Sequence, residues 1–565
     1  MIDDARKLHP GTELEADLCV IGGGAAGIAV AHQLAGSDVK VLVLESGGEQ
    51  PSAQTQALYD GTSDGLPYYK LDEARLRYLG GSTNHWGRLC RPFDAHDLAH
   101  KSWVPRSGWP FGVSDLAPYY QRAHTFLGLA TDQFRASTWA EQDSFAPVDF
   151  GKDPRMMTRV AQLVSIGPRS LGVRYRDELA TTSNLTVLLH ANVTDLEVDR
   201  AGTTVTRATV SVLSGPTFTV RARRFVLATG GLENPRLLLA SRGRFAEGLG
   251  NRYDNVGRYF LEHPRFVGGT FVPTGTPKFR FYEAHNVGRS RLEAYLAPTS
   301  DWQRREQTVD VQMRFGPVFG AQFQKAIDSN DADQLRGAVR SARSLQVGRL
   351  ASQVASVASD LLTAPRYLLP GAPLPVPHPD VLAELALGDE EQREALLPAL
   401  AGNIGAVVYR EATGRAPVRL VQVFTRIDPV PDPDSRVTLI DERDALGMPK
   451  INLHWQLGRL DRHSAARSLD LLVREFGRLG LGRIRVLEHD SEWPADLEGG
   501  WHHMGTTRMN PDPKQGVVDS DCKVHGLSNL YVAGSSVFPT SGSGTPTMLI
   551  VALAMRLTDH LKKAL

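Results

Sequence analysis

Residues 18–28 read Leu-Cys-Val-Ile-Gly-Gly-Gly-Ala-Ala-Gly-Ile, and residues 41–48 read Val-Leu-Val-Leu-Glu-Ser-Gly-Gly. The order is an apolar strand, a glycine turn, a helical stretch and a second apolar strand that ends in an acid. This order predicts a βαβ unit that binds a dinucleotide. Gly22 permits the tight turn out of the strand, Gly24 lets the backbone approach a pyrophosphate, and Gly27 lets helix and strand pack closely.

The residues around the glycine turn also suit a nucleotide. The helix that starts near Gly24 directs its free N–H groups and its positive dipole end at the phosphates. Glu45 follows the second strand, where a carboxylate can accept hydrogen bonds from a ribose diol. A glycine motif alone is weak evidence, because glycine turns are common in loops. The strand before it, the helix after it and the acid beyond make this one specific, and they predict an α/β fold.

Length and composition restrict the class of protein. The 565 residues exceed what one compact core normally holds, so we expect two domains. Lys+Arg and Asp+Glu both number 63, so no net field favours nucleic acid or an anionic membrane. Cys19, Cys90 and Cys522 show neither a disulfide framework nor metal-ligand spacing. We therefore expect a cytoplasmic protein with no metal, no secretory signal and no transmembrane segment.

The rest of the chain alternates strand and helix signals. Apolar and polar residues alternate within residues 185–230, as they do in strands. This segment ends in a second strand–glycine turn–helix element at Thr229. Residues 418–455 predict further strands, followed by a helix from Asp461 to Leu479. Near the C-terminus, the strand that begins at Asn529 runs into a glycine turn before a last amphipathic helix.

The segment from about 318 to 400 carries no motif. It predicts helices at 338–358 and 381–400 around a Pro-rich stretch. Such an apolar excursion could serve as a lid, a subunit contact or a weak membrane-surface patch. We favour a lid or a contact in a homo-oligomer, because no basic amphipathic face accompanies it.

Five motifs in a fixed order resemble the glucose–methanol–choline (GMC) type of flavin oxidoreductase over nearly the whole chain. They are Gly22-x-Gly24-x-x-Gly27 with Glu45, the loop Gly80–Gly87, Ala228-Thr-Gly-Gly, Val256–Pro264 and the block Trp501–Ala554. The loop, Gly80-Gly-Ser-Thr-Asn-His-Trp, is most similar to the branch that holds pyranose oxidase and related sugar and glycoside oxidoreductases.

The resemblance implies two domains built from interleaved segments. Residues 1–95, 185–265 and 500–565 would form a Rossmann-like FAD-binding domain. Residues 96–184 and 266–499, with the insertion at about 318–400, would form a discontinuous substrate-binding domain built on an antiparallel sheet with helices. The flavin ring is expected between the two domains, where pockets usually occur.

The resemblance also implies FAD as the cofactor. The residues expected to contact FAD are Gly22, Gly24, Ala25, Ala26, Gly27, Glu45, Ser46, Gly81, Ser82, Asn84, His85, Trp86, Gly87, Val193, Ala228, Thr229, Gly230, Gly534, Ser535, Pro546 and Thr547. His85 matches the histidine that some relatives bond to the 8α position of the flavin. This sequence leaves two readings open, a covalent bond through His85 or a ring that packs on the flavin edge.

The family chemistry is the oxidation of an alcohol by hydride transfer to flavin N5, which requires a base near neutral pH. In Trp501-His-His-Met-Gly-Thr506, only His502 has the family's spacing from Gly-Thr, so the base is expected to be His502 and not His503. The family's second His or Asn is replaced by Thr545. This hydroxyl cannot act as a base at neutral pH and at most orients the substrate. His263 is expected to be structural.

Three functions stay open on the sequence. The first is oxidation of a CH–OH group on a sugar, polyol or glycoside. The second is the same chemistry on an apolar alcohol such as a sterol. The third, suggested by the missing His/Asn partner, is a lyase that keeps flavin without net redox. For the redox functions the electron acceptor would be oxygen, a quinone or a redox protein.

Overall fold

The computed structural model describes residues 1–143, 145–168, 170–274, 280–282, 284–317, 421–486 and 493–565. Its strands are β1 (Ile2–Asp4), β2 (Glu13–Ile21), β3 (Val41–Leu44), β4 (Gly61–Gly65), β5 (Leu89–Cys90), β6 (Met156–Leu163), β7 (Leu185–Leu189), β8 (Asn192–Val198), β9 (Val205–Ser211), β10 (Thr217–Leu227), β11 (Arg265–Pro273), β12 (His285–Val287), β13 (Ser290–Pro298), β14 (Val311–Pro317), β15 (Val421–Ile427), β16 (Arg436–Arg443), β17 (Pro449–Trp455), β18 (Gly482–Val486) and β19 (Leu530–Val532).

The described α-helices connect these strands or cover the sheets. They are α1 (Ala25–Leu34), α2 (Ala53–Gln56), α3 (Ala95–Leu98), α4 (Val113–Leu127), α5 (Ala136–Ala140), α6 (Leu171–Arg174), α7 (Arg176–Thr181), α8 (Glu233–Ala240), α9 (Ser300–Glu306), α10 (Arg459–Arg478) and α11 (Thr547–Ala564). The helices predicted after the first glycine turn, after the strands of 418–455 and at the C-terminus are confirmed as α1, α10 and α11. The helices predicted at 338–358 and 381–400 lie outside the described residues.

The first sheet is mainly parallel and has the order β1-β7-β3-β2-β10-β9-β8, with β19 paired to the far end of β10. Its central strand β3 is apolar and buried at every position, as a strand covered on both faces must be. On one face, α11 packs against α1 and α4. This arrangement confirms the predicted α/β class with its Rossmann-like half.

The second sheet is antiparallel and has the order β18-β11-β15-β14-β13-β6-β5, with β12 paired to β13. Helix α10 lies against this sheet and buries Leu469, Leu472 and Phe476 in a second hydrophobic core. Its N-terminus is capped by the Asp461 carboxylate, which accepts from Gly458 N–H at 2.7 Å. The predicted antiparallel sheet with helices is thereby confirmed.

The exact division into domains stays a prediction, and two short strands cross the predicted boundaries. β5, placed at the end of the first FAD-binding segment, pairs with β6 of the second sheet. β4 pairs with β17 in a separate sheet of order β16-β17-β4. Among the described helices, none combines the length and the apolar character needed to cross a membrane.

Candidate active site

The carboxyl ends of four parallel strands of the first sheet meet at one cavity of about 480 Å³. The strands are β2, β3, β10 and β19, and in an open parallel sheet ligands bind at this edge. The residue that follows each strand lines the cavity, namely Gly22, Glu45, Ala228 and Ala533. Residues of the second sheet also line this cavity.

The structure brings nearly all of the predicted site residues to this cavity. Its lining includes Gly22, Gly24, Ala25, Ala26, Glu45, Ser46, Gly81, Ser82, His85, Trp86, Gly87, Val193, Ala228, Thr229, Gly230, Gly534, Ser535, Pro546 and Thr547, together with His502 and Thr545. Two residues expected to contact FAD, Gly27 and Asn84, are not part of the lining. Both instead shape the turns that carry their neighbours.

Each glycine of the first turn has the geometry that its expected role requires. Gly22 has φ +111°, and a Cβ there would lie 2.6 Å from the carbonyl oxygen of Ala228. A Cβ on Gly27 would lie 1.9 Å from the carbonyl oxygen of Gly22, so only glycine lets helix and turn approach. A Cβ on Gly24 would meet nothing within 4 Å. Gly24 therefore borders open space at the N-terminus of α1, where a phosphate would fit.

Glu45 is buried at the end of β3 and connects two backbone segments. Its Oε2 accepts from Gly23 N–H at 2.8 Å, and its Oε1 accepts from Gly47 N–H at 2.8 Å. Oε1 also accepts from Ser46 Oγ at 3.3 Å, whereas Oε2 has a second lone pair that can accept from another donor. Glu45 thus stabilises the glycine turn and keeps acceptor capacity for a ribose diol.

The loop Gly80–Gly87 packs directly on the glycine turn. A Cβ on Gly81 would lie 3.2 Å from Gly24 Cα, so the two segments are in close contact. Asn84 donates from Nδ2 to the carbonyl oxygens of Leu79, at 3.1 Å, and Gly81, at 2.9 Å. Asn84 therefore closes the loop from behind, which explains why its side chain does not line the cavity.

His85 lines the cavity beside Trp501. The two rings are stacked, with centroids 5.5 Å apart and planes inclined by 18°. Burial lowers the pKa of His85 to about 4, so the imidazole is neutral at physiological pH. A neutral imidazole has a nitrogen lone pair that can form a bond to the flavin, and its ring can also pack on the flavin edge. The neutral state is therefore compatible with both interpretations of His85.

His502 lies in a loop that is fixed through its backbone. Its N–H donates to both oxygens of the Glu262 carboxylate, at 2.9 and 3.1 Å. The same carboxylate accepts from Tyr68 Oη at 2.6 Å and from the backbone N–H of His263 at 2.7 Å. Glu262 therefore holds two segments that are 240 residues apart in the chain at a fixed separation.

The side chain of His502 contacts His263, and the contact determines its tautomer. His263 Nε2 lies 2.9 Å from the carbonyl oxygen of Gly542, which can only accept, so Nε2 carries the proton. Burial lowers the pKa of His263 to about 3, so its Nδ1 is a bare acceptor. His502 Nδ1 lies 2.7 Å from that atom and must donate to it. The remaining nitrogen of His502, Nε2, then carries a lone pair.

His263, expected from the sequence to be structural, supports the ring of His502 directly. The rings of His263 and His502 meet edge to face, with centroids 4.9 Å apart. Burial, together with the nearby positive charges of Arg426 and Arg265, lowers the pKa of His502 well below its usual value. His502 is therefore neutral across the physiological range, the state that a general base needs before the reaction.

His503 also lines the cavity, but its ring has different neighbours. Its ring lies against Tyr68 and Phe260, with centroids 6.1 and 6.0 Å away. Burial lowers its pKa to about 3, and its Nε2 has no hydrogen-bond partner among the described residues. The two adjacent histidines therefore differ in orientation, with the His502 ring directed to His263 and the His503 ring to two aromatic residues.

Thr545 lines the cavity near the N-terminus of α11. Its hydroxyl donates to the carbonyl oxygen of Leu89. Because a hydroxyl has one proton, Thr545 can offer only lone pairs to a molecule in the cavity. It can accept a hydrogen bond there, and it cannot donate one while this contact is made.

Sequence reasoning missed the charged residues that complete the lining. Arg265, Glu293, Arg314 and Arg426 come from β11, β13, β14 and β15 of the second sheet. A second group, Tyr59, Arg75, Arg77 and Glu233, lines another part of the cavity, with Arg75 Nη1 2.6 Å from Glu233 Oε1. The sequence did contain a signal for the strand residues, namely charged side chains inside otherwise apolar strands. Such side chains are rarely buried without a partner, so they indicate a polar site.

The lining fits an extended FAD molecule. Gly24, Gly230 and Gly534 each border open space, because an added Cβ would meet nothing within 4 Å. These glycines follow or adjoin the ends of three strands and leave a channel in which backbone N–H groups can approach phosphates. Among the described residues, no group of three or more His, Cys, Asp or Glu side chains could hold a metal ion.

Comparison with known proteins agrees with this geometry. Residues 431–554 match the model of the GMC oxidoreductase family, and residues 17–246 match that of the FAD dependent oxidoreductases. A 6'''-hydroxyparomomycin C oxidase of Streptomyces lividus is 25% identical, over 97% of this chain and 92% of its own. A C-glycoside 3-oxidase of Microbacterium trichothecenolyticum is 25% identical, over 88% of this chain and 77% of its own.

A further relative is the large subunit of fructose dehydrogenase from Gluconobacter japonicus, 21% identical over 97% of each chain. Among solved structures, formate oxidase shares the fold, with a TM-score of 0.54, 16% identity and 99% of both chains covered. The two family models match the glycine turns at one end of the chain and the His502 loop at the other. The chain belongs to the GMC-type FAD-dependent oxidoreductases.

Proposed function

We propose that the protein oxidises a CH–OH group of a sugar, polyol or glycoside to the carbonyl, with His502 as the base. The observation that carries the proposal is the hydrogen-bonded chain Gly542–His263–His502, which leaves a lone pair on His502 Nε2. Bound FAD supplies the hydride acceptor at N5. The sugar and glycoside oxidases among the relatives support the substrate class.

In this proposal each residue performs one task. His502 Nε2 takes the proton of the substrate hydroxyl while the hydride leaves the carbon. His263 holds the His502 ring and disperses the charge that the ring gains. Thr545 accepts a hydrogen bond from a neighbouring hydroxyl of the substrate, because its own proton is occupied by Leu89. A polyol presents such a second hydroxyl, and a simple monohydric alcohol does not.

The cavity wall supports a polar substrate over an apolar one. Arg265, Glu293, Arg314 and Arg426 all line the end contributed by the second sheet. A sterol would exclude solvent from these charges without giving them any further hydrogen-bond partner, and an unsatisfied polar group costs several kcal/mol to desolvate. The wall therefore supports the sugar, polyol or glycoside over the sterol. The lyase alternative is distinguished from alcohol oxidation by the following experiment.

Anaerobic stopped-flow reduction of the purified holoenzyme tests the proposal. A panel of sugars, glycosides and alcohols is mixed with the oxidised enzyme without an electron acceptor. Bleaching of the flavin establishes alcohol oxidation, whereas product formation without bleaching establishes the lyase.

The matched variants are His502→Ala and His503→Ala. We expect His502→Ala to slow flavin reduction by about 10²–10⁴-fold, the usual contribution of a general base, with the flavin spectrum little changed. His503→Ala should cost much less, because its ring lies against Tyr68 and Phe260. If flavin reduction were slow in His503→Ala and normal in His502→Ala, the base would be His503 and not His502.

A further inference from the structure

Three arginines lie on one face of the second sheet and line the active-site cavity: Arg265 on β11, Arg426 on β15 and Arg314 on β14. We call them the arginine cluster. Arg265 and Arg426 occupy directly opposed positions of the β11–β15 ladder. Like charges in such positions destabilise a sheet, so the pair requires a compensating interaction.

Among the residues that the structure describes, the neighbouring acids neutralise only part of the cluster. Arg314 Nη1 lies 2.5 Å from Glu293, and Arg265 Nε lies 2.9 Å from Glu498. Arg426 has an uncharged partner, since its Nη2 donates to Gln312 Oε1 at 2.6 Å. Three guanidinium groups and two paired carboxylates leave one positive charge in excess within this group.

Some donors of the cluster are also unused. Arg426 Nε, Arg314 Nε and Arg314 Nη2 are buried and have no acceptor among the residues that the structure describes. Burial and the nearby Arg314 charge lower the pKa of Arg426 to about 9, which reflects how poorly its charge is compensated. An anion in the cavity would satisfy donors and balance the charge at once.

The arginine cluster lies at the catalytic end of the cavity. The charges of Arg426 and Arg265 contribute to the lowered pKa of His502, so these side chains lie within electrostatic range of the imidazole. The guanidinium of Arg314 lies over the ring of Tyr295, 5.4 Å from its centroid. Tyr295 Oη in turn donates to the carbonyl oxygen of Ser543, at 3.4 Å, two residues before Thr545.

We propose that the arginine cluster binds a carboxylate carried by the alcohol substrate, which makes the substrate a hydroxy acid such as a sugar acid. A planar guanidinium matches the two oxygens of a carboxylate, and one monovalent anion balances the excess charge. The inference rests on the proposed function, which it narrows to acidic sugars or polyols. Reaction at the hydroxyl and recognition at the carboxylate then use different residues of one cavity.

The binding arm of the test does not depend on turnover. The oxidised holoenzyme is titrated with cyclohexanecarboxylate and with cyclohexanecarboxamide, which have no hydroxyl group, and binding is followed by the flavin difference spectrum. We expect the carboxylate to bind at least about 10-fold more tightly, as a charge-assisted hydrogen bond implies. Equal affinity for the acid and the amide would overturn the proposal.

Variants locate the effect. Arg426→Gln and Arg314→Gln should each weaken carboxylate binding by about 10- to 100-fold and leave amide binding unchanged, while Arg426→Lys should recover part of the loss. The control is Arg207→Gln on β9, an exposed arginine paired with Glu197 at 2.8 Å. Equal weakening of acid and amide binding, or release of FAD by both Gln variants, would overturn the assignment to substrate.

The catalytic arm compares glucuronate with glucose in anaerobic reduction of the same enzyme. A lower Kd for glucuronate, lost in Arg426→Gln, supports the proposal. Selective carboxylate binding without flavin reduction by any alcohol also supports the anion site and instead refutes the proposed oxidation. The two hypotheses can therefore fail separately.

Discussion

Replacement of His263 by alanine is the most direct test of how the active site fixes its base. The side chain of His263 accepts from His502 Nδ1 and donates to Gly542, over distances of 2.7 and 2.9 Å. In His263→Ala, the Nδ1–H tautomer of His502 has a buried donor without a partner. The other tautomer moves that proton to Nε2, the atom that has to accept the substrate proton.

The magnitude follows from the cost of the lost hydrogen bond. An unsatisfied buried donor costs about 1–3 kcal/mol, which lowers the population of the competent tautomer by about 5- to 150-fold. We therefore expect flavin reduction at saturating substrate to slow by about 10- to 100-fold. The substrate Kd should change little, because His263 supports His502 and does not face the substrate hydroxyl in this mechanism.

Two conservative variants separate the two contacts of His263. Asparagine places an amide near the former Nδ1 and can still accept from His502, whereas glutamine reaches toward the former Nε2 and Gly542. We expect His263→Asn to recover most of the reduction rate and His263→Gln to remain slow. Each protein is compared at equal flavin content and after its thermal unfolding midpoint has been measured.

Two results would refute this reasoning. A reduction rate in His263→Ala within about two-fold of the wild type would show that no tautomer is being held, because the expected loss is at least several-fold. Equal flavin reduction rates in the Asn and Gln variants would show that the rate does not depend on the contact between His263 and His502.

Three further predictions concern pH and the cofactor. Because burial and nearby positive charges hold the pKa of His502 well below its usual value, the base stays neutral as the pH falls. The ratio of reduction rate to Kd should stay level from pH 8 to 5.5, whereas a pKa of 6.5 would lower it about ten-fold at pH 5.5. Glu45→Ala should weaken FAD retention by about 1.5–3 kcal/mol in equilibrium dialysis, and Glu49→Ala, on the surface, should not. If His85 is bonded to flavin, acid-precipitated wild type stays yellow and His85→Ala releases its FAD; colourless wild-type precipitate would establish dissociable binding.

The features that the sequence alone predicted are local in the chain. The turn of Gly22, Gly24 and Gly27 lies within one strand–helix unit, and the close approach of Gly27 to the Gly22 carbonyl oxygen is made inside that unit. The strand ends at Ala228 and Gly534 were recognisable for the same reason. Once parallel strands pair, their carboxyl ends meet at one edge, so these separated motifs had to converge on one cavity.

The tertiary structure alone decided the partners of these residues. His263 and His502 are 239 residues apart, and their contact depends on Glu262 joining the two segments. The arginine cluster depends on the register of β11, β14 and β15, in which a shift of one residue would turn the side chains to the opposite face. Local sequence patterns specify turns and strand ends, because their energies arise within a few residues. Distant pairings depend on how the sheets assemble, and in this protein they set the tautomer of the base and the charge of the pocket.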